Sequence, residues 1–197
     1  MASISSLNGK KEFAHDLSPN GATQPQPRAT PWGKITGNQS PERATQVMPQ
    51  SLARLHVHLI FSTKNREQFL HDKIRQPLHA YMAIVLQKLD CPPTLINSVE
   101  DHVHILFELA RTASLSQAVE DVKKSSSKWI KTQGTEFVGF AWQAGYGGFA
   151  VSESNVQAAY DYIANQREHH RQKSFQEEYR AFLKRHHVTY DERYVWD

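Results

Sequence analysis

Apolar and polar residues begin to alternate regularly in the segment RLHVHLIFST, and this alternation predicts a β-strand over residues 54–63. The apolar face of the predicted strand carries Leu55, Val57, Leu59 and Phe61. The opposite face carries His56, His58 and Ile60. One face therefore suits a hydrophobic core, whereas the other presents two imidazole groups.

The pattern after residue 63 predicts a series of further helices and strands. Helically spaced apolar residues alternate with short strand-like runs, and prolines, glycines and serine caps mark their ends. The predicted elements are a helix over 71–89, strands over 94–100 and 102–109, a helix over 114–133, a strand over 137–143, and helices over 154–170 and 174–187. Residues 144–148 are rich in glycine, and we predict a hinge there.

The order β-α-β-β-α-β predicts an α+β fold of the ferredoxin-like, split-βαβ class. Two helices would cover one face of a four-stranded antiparallel sheet, with the first and third strands side by side in the middle. Because the apolar residues of these strands face the helices, we expect their histidines to lie on the open face. The helix over 154–170, which carries Tyr162, follows this unit toward the C-terminus.

Residues 1–50 differ in composition from the rest of the chain. They are rich in Ser, Pro, Gln, Asn, Gly and Thr, and they lack helical or strand periodicity. This composition is typical of a disordered extension, so we assign the folded domain to residues 51–197. Met48 precedes the first periodic segment and is an alternative start of the chain.

The composition excludes several classes of protein. Cys91 is the single cysteine, so no internal disulfide is possible and a reducing cytoplasm is expected. No run approaches the roughly 18 apolar residues of a membrane helix, and the first residues lack the apolar run of a secretory signal. The net charge of +3 is modest and lies mostly in the first 50 residues, so a nucleic-acid surface would need local clusters of basic residues.

His102 and His104 are the first candidates for chemistry. At positions i and i+2 of a strand they point to the same face, about 7 Å apart, which is close enough to bind one cation. Val103 points into the core between them, and the acidic Asp101 precedes them. A chain with 11 histidines contains such pairs by chance, so this pair alone does not establish a metal site.

Tyr162 and Gln166 form a second candidate pair. They are four residues apart and therefore share one face of the predicted third helix. The apolar residues of that helix define a different face: Val156, Ala159, Tyr160 and Ile163. Taken alone, this pair is a surface tyrosine beside a solvated glutamine.

Four segments together resemble the successive motifs of the single-tyrosine HUH transposases of the IS200/IS605 type. They are HLIFSTKNR, DHVHILFEL, FAWQAGYGGFAVS and YIANQREHH, and the resemblance spans about residues 52–197. It implies that His102 and His104 bind Mg²⁺ or Mn²⁺, with Gln166 as the third ligand. It also implies that Tyr162, four residues before that glutamine, is the nucleophile, whereas Tyr160 on the apolar stripe is expected to pack in the core.

The resemblance further implies a reaction and a set of partners. The tyrosine would attack a phosphodiester of single-stranded DNA and form a 5′-phosphotyrosine, from which a 3′-hydroxyl can rejoin the strand. The implied role is the excision and insertion of a mobile element with hairpin ends, in the cytoplasm of a bacterium or archaeon. The implied assembly is a homodimer in which the tyrosine helix docks on the partner, so that the active site is shared between subunits. No membrane is involved.

Accessory and DNA-binding residues are further predictions. His58 lies on the first strand beside the histidine pair, where it would orient a phosphate or a metal-bound water, or serve only as a hydrogen-bonded sheet histidine. Six basic residues are predicted to contact DNA, although each is also consistent with a solvated surface. They are Lys64, Arg66, Lys123, Lys124, Lys128 and Arg167.

Three other interpretations remain open at this level. A domesticated host enzyme would apply the same chemistry to repeated palindromic DNA. A non-catalytic ferredoxin-like module would bind nucleic acid on an open sheet, but such sheets carry stacking aromatic residues where this one carries histidines. A two-histidine phosphoesterase would use the HVH segments at 56–58 and 102–104, and it leaves Tyr162 and Gln166 unexplained.

Overall fold

The computed structural model describes residues 52–170 and 174–196, so the predicted disordered extension over residues 1–50 lies outside the described residues. The strands are β1 (His56–Ser62), β2 (Pro93–Ser98), β3 (His102–Glu108) and β4 (Gly147–Val151). The helices are α1 (Asp72–Gln87), α2 (Leu115–Ile130), α3 (Val156–Ala164), α4 (Gln166–His169) and α5 (Phe175–Arg185). Within the described ranges no helix is both long and apolar enough to cross a membrane.

The four strands form one antiparallel sheet in the order β2-β3-β1-β4. The register of the two central strands places Leu59 opposite Ile105 and Phe61 opposite Val103. This confirms the predicted α+β, ferredoxin-like arrangement with the first and third strands in the middle. Strands that are paired on both edges hold functional side chains more rigidly than loops do.

Helices α1 and α2 cover one face of the sheet and enclose the main hydrophobic core. From these helices, Leu78, Met82 and Val122 are fully buried against the apolar faces of β1 and β3. As predicted, α2 begins after Ser114, whose side chain accepts a hydrogen bond from the backbone N–H of Gln117.

The other face of the sheet, which was predicted to be open, is covered by α3 and α5. The residues of this second core are Ile60, Phe149, Phe175, Tyr179 and Leu183. The side-chain amide of Asn97 on β2 donates to the carbonyl oxygen of Ile163 and ties α3 to the same face. The prediction of an open face is therefore wrong, because α5 carries an apolar stripe that needs a partner surface of its own.

The fourth strand does not lie where the sequence predicted it. A 3₁₀ turn over Thr135–Phe137 leads into this segment, which continues as a loop that buries Phe140 and Trp142 in the main core. This loop meets the end of β1 through an isolated bridge between Trp142 and Thr63 and a backbone hydrogen bond from Gln143 to the carbonyl oxygen of Ser62. The fourth strand is instead Gly147–Val151, which begins inside the segment predicted to be a hinge.

Gly147 and Gly148 serve close packing in β4. A Cβ atom on Gly147 would lie 2.7 Å from a ring carbon of Tyr179 on α5. A Cβ atom on Gly148, on the opposite face, would lie 2.8 Å from a methyl carbon of Leu115 on α2. These glycines let helices approach the strand from both sides, which explains why glycine stands within a strand.

The predicted third helix is interrupted at Asn165. Its first part, α3, ends at the preceding residue, and α4 starts at the following one. The side-chain amide of Asn165 donates a hydrogen bond to the carbonyl oxygen of Asp161, so this carbonyl near the end of α3 has a partner.

Candidate active site

The two histidines of β3 lie in a buried cluster of ionisable groups. His102 and His104 are fully buried, and His170 and Glu178 complete the cluster, with one nitrogen or oxygen from each residue within 4.8 Å of the others. Nε2 of His102 is 2.9 Å from Nε2 of His170 and 3.9 Å from Oε2 of Glu178. Nε2 of His104 is 3.8 Å from Oε1 of the same carboxylate.

Two neighbouring side chains orient these imidazoles. Oδ1 of Asp101 lies 2.6 Å from Nδ1 of His102, and Nε2 of His58 lies 2.9 Å from Nδ1 of His104. We assign the proton of each β3 histidine to Nδ1, which donates to its neighbour in each case. With this assignment, both Nε2 atoms direct a lone pair into the cluster.

Burial keeps these histidines neutral at physiological pH. Burial lowers the pKa of His58 to about 4, although the charge of Glu178 opposes the shift. It also lowers the pKa of His102, where contact with Asp101 opposes it, and lowers that of His104 well below its usual value. Burial alone would raise the pKa of Asp101, but the hydrogen bond with His102 brings it below its usual value. Neutral imidazoles are the form that binds metal ions.

Gln166 is fully buried at the start of α4. Its Oε1 and Nε2 atoms, like Nε2 of His104, have no hydrogen-bond partner among the residues that the structure describes. Leaving a buried polar group unpaired costs about 1–3 kcal/mol. A cation would satisfy the lone pairs of the Gln166 oxygen and the His104 nitrogen. The donor set therefore fits a divalent metal ion.

Tyr162 lies on α3 and is half-buried against this cluster. Its ring centroid is 6.3 Å from those of His58 and His104, and its hydroxyl donates a hydrogen bond to Oε1 of Glu178. Burial, followed by the negative charge of Glu178 and this hydrogen bond, raises the pKa of Tyr162. Tyr160, which was predicted to pack in the core, is instead 38% exposed. The structure thus brings the tyrosine and histidines of one chain together.

Glu178 and His170 are the two members of the cluster that the sequence pattern did not identify. Glu178 lies on the buried stripe of α5 between Phe175 and Tyr179. A carboxylate is rarely buried without a partner, so the position of Glu178 within an apolar helical stripe is the feature of the sequence that could have identified it. For His170 the sequence offers no such feature, because nothing local indicates that its Nε2 lies 3.0 Å from Oε2 of Glu178.

A cleft of about 320 Å³ opens beside Tyr162. Its lining includes the rings of Phe149, Phe182 and His186, together with the guanidinium group of Arg185. The rings of Phe149 and Phe182 stack with centroids 5.3 Å apart. Aromatic surfaces beside a positive charge are suited to an unpaired base and its phosphate.

Three of the residues predicted to contact DNA lie far from this cleft in the fold. Lys123, Lys124 and Lys128 are on α2, which packs on the face of the sheet opposite the histidine cluster. The ammonium group of Lys123 donates to the carbonyl oxygens of Ala144 and Gly145, at 3.2 and 2.7 Å. Burial lowers its pKa to about 8. In this arrangement Lys123 supports a loop.

The other three predicted DNA contacts lie in the turn after β1 and on α4. Lys64 and Arg66 occupy a 3₁₀ turn directly after β1, and the charge of Arg66 contributes to the lowered pKa of Asp101. Arg167 is exposed on α4 and forms an ion pair with Asp72 of α1. Of the six predicted basic residues, Arg66 thus has the clearest electrostatic link to the cluster.

Comparisons with known proteins relate this chain to a family of transposases. The profile of the family described as transposase, IS200 like, matches residues 51–166. No curated protein gave a significant match. A candidate transposase from Deinococcus radiodurans is 23% identical, and the match covers 60% of this chain and 98% of that one, with a TM-score of 0.48. A REP-associated tyrosine transposase bound to a REP hairpin is 14% identical, with 62% and 73% covered and a TM-score of 0.48.

Proposed function

Because the chain belongs to the family of IS200-like transposases, whose profile matches more than half of it, we propose that it cleaves and rejoins single-stranded DNA through a covalent tyrosine intermediate. The proposed nucleophile is Tyr162. The proposed ligands of a divalent cation, Mg²⁺ or Mn²⁺, are His102, His104 and Gln166. The proposed role is the excision and insertion of a mobile element with hairpin ends, in the cytoplasm of a bacterium or archaeon.

The observation that carries this proposal is the contact between Tyr162 and the histidine cluster. Its hydroxyl donates to a carboxylate oxygen of Glu178 that lies 3.8 Å from Nε2 of His104. A surface tyrosine would lack a nearby cation site to stabilise the charge of an attacking phenolate. Tyr160, two residues earlier on the same helix, has such an exposed position.

Each residue has a defined part in the proposed reaction. Oη of Tyr162 attacks the phosphorus, and the bond to O3′ breaks, which leaves a 5′-phosphotyrosine and a free 3′-hydroxyl. The phenol proton passes to Glu178, which already accepts a hydrogen bond from it, and the departing O3′ takes up a proton from water to become the 3′-hydroxyl. When bound, a divalent cation supplies positive charge that polarises the phosphate. Attack by a 3′-hydroxyl reverses these steps, so joining requires no ATP.

The assembly of the site can be proposed in two forms. The contact between Tyr162 and Glu178 within one chain supports a site that is complete in a single subunit. The alternative is the homodimer with shared sites that the family resemblance implies. Mixing a His102→Ala/His104→Ala chain with a Tyr162→Phe chain separates the two forms. Shared sites would restore cleavage in the mixture, whereas sites within one subunit would leave it inactive.

Covalent capture tests the function directly. The chain is incubated with hairpin-bearing single-stranded DNA and Mn²⁺ or Mg²⁺, and a protein–DNA adduct is sought on denaturing gels. We expect Tyr162→Phe to abolish the adduct and the matched Tyr160→Phe to retain it. An adduct of undiminished yield in Tyr162→Phe would show that another residue is the nucleophile.

Two of the open interpretations can be separated from this proposal. A domesticated host enzyme would form the same adduct, but terminal hairpins around the gene would indicate a mobile element. A non-catalytic module would form no adduct. The packing of α5 over the histidine face of the sheet disfavours such a module, because that face is not an open platform for bases.

A further inference from the structure

Resting on the proposed function, we infer that His170 and Glu178 are two further ligands of the cation bound by His102 and His104. The site would then combine three imidazole nitrogens with one carboxylate oxygen, and Gln166 would add an amide oxygen. Such a set selects Mn²⁺ or another transition-metal ion over Mg²⁺. Glu178 would also link the cation to the nucleophile, because its second oxygen holds the hydroxyl of Tyr162.

The distances within the cluster match those between ligands of one ion. Ligand atoms about 2.0–2.2 Å from a common metal lie roughly 3–4 Å from one another. Nε2 of His170 lies 2.9 Å from Nε2 of His102 and 3.0 Å from Oε2 of Glu178. The carboxylate oxygens lie 3.9 Å from Nε2 of His102 and 3.8 Å from Nε2 of His104. All four residues thus contribute an atom to one small volume.

The surroundings of Glu178 also point to a cation. Its side chain is only 7% exposed and belongs to the same buried stripe of α5 as Phe175 and Tyr179. A buried carboxylate is strongly unfavourable unless charge or hydrogen bonds compensate it. Its Oε1 atom accepts a hydrogen bond from Tyr162, and its Oε2 atom lies 3.0 Å from Nε2 of His170. A divalent cation among these residues would add the positive charge that balances the buried carboxylate.

The ligand chemistry determines which ion the cluster favours. Mg²⁺ prefers oxygen ligands and retains several water molecules. Imidazole nitrogens instead suit transition-metal ions, which bind mixed nitrogen and oxygen sets. A cation held by these residues would supply positive charge to a phosphate oxygen of the substrate. The donor set therefore favours a transition-metal ion over Mg²⁺.

Direct metal binding tests this inference. Metal-free full chain is titrated with Mn²⁺, and unbound Mn²⁺ is followed by electron paramagnetic resonance, with and without excess Mg²⁺. The variants are His170→Gln and Glu178→Gln. The matched controls are His71→Gln and Glu120→Gln, because both side chains are exposed and lie outside the cluster. Far-UV circular dichroism and thermal unfolding of each metal-free variant verify the fold.

Loss of residues that only orient ligands already lowers metal affinity 10- to 100-fold, so loss of a ligand should lower it by at least about tenfold. We expect this loss in both variants, unchanged affinity in both controls, and little displacement of Mn²⁺ by Mg²⁺ from the wild-type chain. Folded His170→Gln and Glu178→Gln chains that bind Mn²⁺ as tightly as wild type would overturn the inference. If His102→Ala then still abolished binding and adduct formation, the proposed function would stand without the two extra ligands.

Discussion

His58 offers a sharp test of how the fold prepares the metal site. The structure places its Nε2 atom 2.9 Å from Nδ1 of His104, and its side chain is nearly fully buried. If His58 accepts the proton of Nδ1, it holds the His104 ring with Nε2 directed into the cluster. Replacement of His58 by leucine removes this acceptor while keeping an apolar side chain of similar bulk.

The expected magnitudes follow from the two effects of that change. Loss of a second-shell partner typically lowers metal affinity 10- to 100-fold, which corresponds to about 1.4–2.7 kcal/mol. The N–H group of His104 would also lose its buried partner, which should lower the free energy of unfolding of the metal-free chain by about 1–3 kcal/mol. The His58→Leu chain should therefore be both less stable and weaker in metal binding.

His79→Leu provides a matched control. His79 is also buried, its Nε2 lies 2.8 Å from the hydroxyl oxygen of Ser98, and burial likewise lowers its pKa to about 4. It lies on α1, on the opposite side of the sheet from the cluster, so its replacement should lower stability without changing metal affinity. Urea unfolding of the metal-free chains measures stability, and calorimetric titration with Mn²⁺ measures affinity. Equal Mn²⁺ affinities of the His58→Leu and His79→Leu chains would refute the orienting role.

Three further predictions concern stability and DNA binding. Burial lowers the pKa of His79 from 6.5 to about 4, so as the pH falls the unfolded chain takes up a proton before the folded chain does. About 3 kcal/mol of stability that is present above pH 6.5 should therefore be lost as the pH falls to 4. Gly147→Ala should lower the free energy of unfolding by about 1–3 kcal/mol, because the new methyl group would lie 2.7 Å from Tyr179. Arg185→Gln should weaken binding of single-stranded DNA and reduce its salt dependence by about one counterion, because Arg185 lines the cleft beside the nucleophile.

Each of these predictions has its own control. Urea unfolding across this pH range should show a flatter dependence for His79→Gln than for wild type, and parallel curves would contradict the first prediction. Gly139→Ala should be nearly neutral because its nearest neighbour would lie 3.9 Å away, and an equal loss in both alanine variants would contradict the second. Lys184→Gln, on the same helix as Arg185 but outside the cleft lining, should affect DNA binding less in a fluorescence titration at several salt concentrations.

Local patterns predicted the central part of this protein correctly. The period-two alternation of β1 and β3 identified which side chains face the core, so it also placed His102 and His104 on the same face. Strand geometry makes this inference almost independent of the rest of the fold, since neighbouring side chains on a strand always point to opposite faces. The spacing of Tyr162 and Gln166 predicts that they share one face of a single helix, but the break at Asn165 puts them on separate helices.

Local patterns failed where long-range packing selects between similar segments. The segment over 137–143 alternates as a strand does, yet its aromatic residues fill the core from a loop. Gly147 looks like part of a hinge, but it stands in β4 because α5 must approach the sheet there. The segment that pairs at the edge of the sheet is the one that can lie beside β1 once the helices are packed. The hydrophobic periodicity of a segment does not depend on that packing, so it does not identify the edge strand.

The sequence alone predicted the sheet with its paired histidines, and the family resemblance identified the tyrosine and the glutamine. Only the tertiary structure decided that α5 covers the histidines, that Glu178 and His170 join them, and that Tyr162 contacts its own chain's cluster. The physical reason is the separation along the chain of the residues that determine each feature. Side-chain direction along β3 is a local property of the backbone, whereas the contact between Glu178 and the β3 histidines depends on the packing of residues about 75 positions apart along the chain.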